Sequence, residues 1–69
     1  MHYTKLIEQI KNRRDELQVT QETLAEISGV GLRTLKEFES GKGNPTLKTV
    51  SKLADALGLK LYLQIKSIE

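Results

Sequence analysis

Apolar positions recur at spacings of three and four through four successive stretches of the chain, then switch to every second position near its end. Tyr3, Ile7, Ile10 and Leu17 mark the first helical stripe, with Thr4 as its expected N-cap. Gln18-Val19-Thr20 links it to a second helix of about Gln21 to Ser28, capped by Thr20 and striped by Leu24 and Ile27. A third helix starts near Leu32, carries Leu35 and Phe38 inward, and ends at Gly41. Gly41-Lys42-Gly43-Asn44-Pro45 reads as a loop. Thr46 then caps a fourth helix of about Leu47 to Leu57, with Val50, Leu53, Ala54 and Leu57 on one side and Gly58 as its stop.

The second and third helices meet at a sharp corner. Ala25, one turn before Gly29, is small enough to let two backbones approach, and Gly29 takes φ > 0 without steric cost. A pair built this way can lay its second helix in the major groove of DNA, about 12 Å wide.

After Gly58 the period becomes two. Leu59, Leu61, Leu63 and Ile65 alternate with Lys60, Tyr62, Gln64 and Lys66, the pattern of one strand with one apolar face. Everything before it is helical, so the chain offers this strand no partner, and an unpaired strand exposes a row of N–H and C=O groups. Pairing with the same strand of a second copy about a two-fold axis resolves this. The other resolution packs the leucines on the helices as irregular structure.

Arg14 falls on the apolar stripe of the first helix, where a charge is costly unless paired. Glu39, four residues after Leu35 and next to Phe38, is the expected partner; the alternative is that Arg14 reaches past its neighbours to solvent.

Composition narrows the function. With 69 residues the chain is one small domain, marginal alone, so oligomerisation is expected. There is no cysteine, the one histidine is His2, and the carboxylates of Asp15 and Glu16 are adjacent and so face different sides of a helix. No Gly-rich phosphate loop precedes a helix, and catalysis, a metal site and a cofactor are not expected. No apolar run is long enough to span a bilayer, and the opening residues MHYTK lack a signal-peptide apolar region, so no membrane association and a cytoplasmic, nucleoid-associated location are expected. A net charge of +2 and a pI near 9.0 favour nucleic acid only slightly.

The ordered set Thr20-Gln21-Glu22-Thr23-Leu24-Ala25, Gly29-Val30, Thr34-Leu35, Phe38-Glu39, Gly41, Pro45 and Leu53-Ala54-Asp55-Ala56-Leu57-Gly58 resembles the Cro/lambda-repressor (XRE) helix-turn-helix domains, over roughly Ile7 to Gly58. The ending LGLKLYLQIK is similar to that of the HipB-like antitoxin subgroup, in which a C-terminal strand follows the fourth helix. The resemblance implies a mainly α, four-helix lambda-repressor-like domain (residues 1–58) and a C-terminal β-strand and tail (residues 59–69) that pairs across a homodimer. It implies double-stranded DNA with a two-fold operator as ligand, autoregulation of a toxin–antitoxin operon, and a HipA-like kinase toxin as partner.

On that reading Arg33 is the expected base reader, bonding guanine O6 and N7, the alternative being a solvated surface arginine or a phosphate contact. Leu32 either touches a thymine methyl or covers the core. Glu37 either accepts from cytosine N4 or stands by as an exposed spectator repelled by phosphate. Thr20, Gln21, Lys36, Lys42, Asn44 and Thr46 are the expected backbone contacts, with Gln21 also bracing the recognition helix and Thr20 also explained by capping alone. Gly31 stands where the family commonly has serine, and Arg33 and Lys36 are offset by Glu37 and Glu39. An electrically neutral recognition helix binds weakly alone, so dimerisation has to supply part of the affinity.

Overall fold

The computed structural model describes residues 3–64 and residue 66. Four helices follow in order: α1 (Thr4–Glu16), α2 (Gln21–Ser28), α3 (Leu32–Glu39) and α4 (Leu47–Ala56). Their stripes converge on a core of Ile10, Leu24, Val30, Leu35, Phe38, Val50, Leu53, Ala54 and Leu57, with Leu6, Ile7, Val19, Ala25 and Leu59 packed around it. At about 25 cal/mol per Å² of apolar surface, each fully buried leucine contributes roughly 2 kcal/mol, so the stripes are what hold these short helices.

Capping chemistry sets the boundaries. Thr20 and Thr46 are in extended backbone, and their hydroxyls accept from the N–H groups of Thr23 and Thr49. The turn of α2 closes on Gly29 at φ 76, and α3 ends with Gly41 at φ 82. At α1 the left-handed residue is Gln18, at φ 56, where a side chain costs about 1 kcal/mol relative to glycine. Its N–H still donates to the Asp15 carbonyl and that of Val19 to the Arg14 carbonyl, which satisfies the helix end.

Two features of α1 differ from the sequence expectation. Thr4 is inside the helix and Tyr3 takes the cap position, with no side-chain cap bond. Tyr3 has a tertiary anchor of its own: its hydroxyl donates to Asn44 Oδ1 at 3.3 Å. Leu17 leaves the stripe, because the chain turns at Gln18 before it can cover the core, and it stays 45 % exposed. Ile27 on α2 is exposed as well, its place in the core being taken by Val30 just after the corner.

The tail also differs. Among the described residues there is no strand, and residues 59–64 follow the fourth helix without regular structure. Leu59 packs against the core, Leu61 is partly exposed, and Leu63 is fully exposed. Within one chain the irregular arrangement therefore replaces the expected strand, because no neighbouring segment offers a ladder of donors and acceptors. Ile65, the fourth position of that expected strand, lies outside the described residues, as does His2.

A candidate nucleic-acid interface on the second and third helices

The eight residues of α3 divide sharply between two faces. Leu35, Phe38 and Glu39 are buried. At about 100° per residue, the opposite direction belongs to Arg33 and Glu37, flanked by Thr34 on one side and Lys36 on the other. All four are exposed, and Leu32 is half-buried at the edge. Thr34, to which the sequence reading assigned no contact, borders a cleft with Glu37, Lys42, Asn44 and Thr46. Counting positions from Leu35 and Phe38 could have found it, since it lies just off the buried arc.

Glu39 fixes the position of this helix from behind. Its Oε2 accepts from Arg14 Nε at 2.7 Å and its Oε1 accepts from Arg14 Nη2 at 3.0 Å, a two-pronged pair between α1 and α3. Gln21 Nε2 donates to the same Oε1 at 2.9 Å, and Arg14 Nη1 donates to the Val19 carbonyl at 2.9 Å. The side chains of Arg14 and Glu39 are only 13 % and 4 % exposed, so both charges sit largely out of water, and each has partners. The hydrogen bond to Glu39 holds the Arg14 guanidinium above its ordinary, already high pKa. Because the folded value lies above the unfolded one, this stabilisation is complete throughout the neutral range and is lost when the guanidinium deprotonates in strong alkali.

The expected backbone-contacting residues are distributed around α3. Thr20 and Thr46 are exposed, but their hydroxyls are engaged in capping and also donate to the Thr23 and Thr49 hydroxyls, both at 3.0 Å. Gln21 spends its amide on Glu39, as a brace. Lys36, Lys42 and Asn44 are exposed. Sequence reasoning missed Arg13, whose Nε donates to the Leu57 carbonyl at 3.0 Å and ties α1 to the end of α4. No local pattern signals a contact across that separation.

Gly31 occupies the N-cap of α3 at φ −59 and supplies no side-chain bond. A Cβ built there meets nothing nearer than Thr34 Oγ1 at 3.9 Å. Gly31→Ser should therefore cap the helix and reduce the freedom of the unfolded chain, together about 0.5–1 kcal/mol. A thermal melt should rise by roughly 3–6 °C; an unchanged or lower midpoint would show that the site does not accept the cap.

A short helix pair with a left-handed corner, one clamped helix and a polar outer face defines the helix-turn-helix class of DNA-binding domain. A helix-turn-helix family model matches residues 10–63, and the chain belongs to the XRE-family helix-turn-helix proteins. It is 37 % identical over 57 residues to the cryptic phage CTXphi transcriptional repressor RstR of Vibrio cholerae, a match covering 83 % of this chain and 51 % of that one. It is 40 % identical over 58 residues to multiprotein-bridging factor 1a of Arabidopsis thaliana, covering 84 % of this chain and 41 % of the plant protein. An uncharacterized HTH-type transcriptional regulator of Methanothermobacter thermautotrophicus is 43 % identical over 49 residues, 71 % of each chain. The chain thus spans about half the length of RstR and less of the bridging factor.

Proposed function

We propose that the protein is a sequence-specific, double-stranded DNA-binding transcriptional repressor that works as a homodimer on a two-fold operator. The observation that carries the reading is the outer face of α3, where Arg33 and Glu37 stand exposed on a helix held rigidly by Arg14, Glu39 and Gln21. The similarity to a phage transcriptional repressor supports the direction of the effect. Arg33 reads guanine, Glu37 and Leu32 flank it, and Thr20, Gln21, Lys36, Lys42, Asn44 and Thr46 line the route of the phosphates. Two such heads address half-sites about 34 Å apart, one turn of duplex. The protein acts in the cytoplasm, on the nucleoid.

The proposal of dimerisation through residues 59–69 is supported by what a single copy leaves uncovered. Tyr3, Leu6, Leu47, Leu61, Tyr62 and Leu63 border an open apolar groove of about 570 Å³. Leu47 is 75 % exposed and Leu63 100 %. A contiguous apolar patch of this kind marks an interface, and the alternating tail supplies a strand with Leu59, Leu61, Leu63 and Ile65 on one side. A chain truncated after Gly58 should be monomeric and lose operator binding that depends on two heads. A truncated chain still dimeric at micromolar concentration would remove the strand from the proposal.

The narrower form of this reading is an autoregulating antitoxin with a HipA-like kinase toxin, supported by the resemblance of the tail to that subgroup. A kinase-like reading frame directly downstream is the expected genomic setting; its absence leaves a solitary repressor. A second reading, a helix-turn-helix used mainly to hold another protein, is favoured by the charge balance of α3 and by the similarity to a multiprotein-bridging factor. A footprint on the protein's own promoter decides between them. Protection of a two-fold site that weakens steeply with salt supports the repressor, and no protection at any salt overturns it.

A further inference from the structure

The balance of charge along α3 leaves unexplained how the domain would hold a polyanion. Arg33 and Lys36 are cancelled by Glu37 and Glu39 within the helix. The tertiary structure alters this balance on one flank. An open depression of about 350 Å³ beside α3 is bordered by Lys11, Arg14, Gln21, Lys36, Glu39 and Ser40. Glu39 is consumed by Arg14, which leaves Lys11 of α1 and Lys36 of α3 facing the same space with no carboxylate of their own on its border. Both are exposed on well-formed helices. Gln21, the first residue of α2, adds the positive end of that helix to the same border.

We infer that Lys11 and Lys36 form a seat for one DNA phosphodiester on the α1 side of the recognition helix, resting on the DNA-binding reading above. The cleft on the opposite flank, bordered by Thr34, Glu37, Lys42, Asn44 and Thr46, faces the other side of the groove. A helix in the major groove has a phosphate strand on either hand, and α3 then has Lys11 and Lys36 toward one and Lys42, beside Glu37, toward the other. Lys11 becomes a DNA contact contributed by the first helix. Lys36, pointing to the flank, contacts backbone and leaves base discrimination to Arg33 and Glu37. With the seat in place, the Arg14–Glu39 pair has a part in binding as well as in folding. If Glu39 were not engaged by Arg14, its carboxylate would face the incoming phosphate.

Phosphate contacts are independent of sequence, so the test needs no known operator. The probe is a fluorescent 30-base-pair duplex of arbitrary sequence, titrated with the full chain from about 50 to 200 mM salt. Lys11→Gln should weaken binding about threefold to tenfold at the low-salt end and reduce the slope of log affinity against log salt by about 0.9. Lys36→Gln should do the same, and because both lysines serve one phosphate the double variant should lose little more slope than either single variant. Lys52→Gln, on the far helix, should leave both quantities unchanged, and melting temperatures of all variants should match the unaltered chain.

An unaltered chain that binds duplex while Lys11→Gln binds equally well with the same slope overturns the seat and leaves the DNA reading standing. A Lys36→Gln variant that weakens one duplex sequence and spares another makes Lys36 a base reader and equally overturns it. No duplex binding by the unaltered chain at low salt overturns both.

Discussion

Glu39→Gln should lower the stability of the domain by about 2–3 kcal/mol, between the cost of losing a charged hydrogen bond and that of breaking a fully buried ion pair. Three donated bonds converge on this carboxylate, two from Arg14 and one from Gln21. A glutamine in its place keeps the shape but turns one acceptor into an NH₂ group aimed at a guanidinium. Arg14 then holds a charge with only 13 % of its side chain open to water. A domain of this size has roughly 3–10 kcal/mol in hand, so the loss is a large fraction of the total. The melting midpoint should fall by about 10–20 °C. Replacing both Arg14 and Glu39 with apolar residues should recover much of that loss, because no unpaired charge remains. A midpoint within a degree of the unaltered chain for Glu39→Gln would mean that the clamp is not what holds α3.

Arg33→Ala should weaken binding to the cognate operator by roughly 5- to 150-fold, the range that corresponds to 1–3 kcal/mol for a bidentate contact with guanine. The side chain is exposed at the centre of the outer face of α3, so its removal should leave folding intact. Discrimination at one base pair per half-site should relax, while affinity for unrelated duplex changes far less. This pattern separates Arg33 from the lysines, whose loss should weaken all sequences alike. Arg33→Ala with unchanged operator affinity would sink the assignment of α3 as the reading helix and would favour the protein-holding function.

The two results are coupled through geometry. A base contact is worth its full discrimination only when the helix carrying it is held in place by its own supports. Partial loosening of the Glu39 clamp should therefore cost specificity before it costs folding. Measuring operator discrimination for Gln21→Ala, which removes one of the three bonds, would expose that intermediate.

Much of this domain was legible locally. The four apolar stripes, the threonine caps at Thr20 and Thr46 and the left-handed corner at Gly29 follow from helical periodicity and capping chemistry, which act within a few residues. The Arg14–Glu39 pair was also readable, because a charge inside an apolar stripe demands a partner. What the sequence could not decide was which stripes run their full length and what the flanks of α3 face. Leu17 and Ile27 fit their patterns and are exposed, because the chain turned at Gln18 and Val30 took the inner position.

The outer face of α3 shows the same division. Arg33 and Glu37 point outward by spacing alone, once Leu35 and Phe38 point in. That Thr34 shares their border, that Gln21 braces Glu39, that Arg13 holds the end of α4 and that Lys11 stands beside Lys36 are outcomes of helix packing. The alternation from Leu59 to Ile65 specifies two faces, yet a strand exists only when a partner supplies its hydrogen bonds. The sequence by itself determined the helices, their caps and the inward set of α3, because those depend on bonds between near neighbours. Only the tertiary structure decided where the positive charge gathers and what the tail leaves uncovered, because both depend on surfaces that distant segments build together.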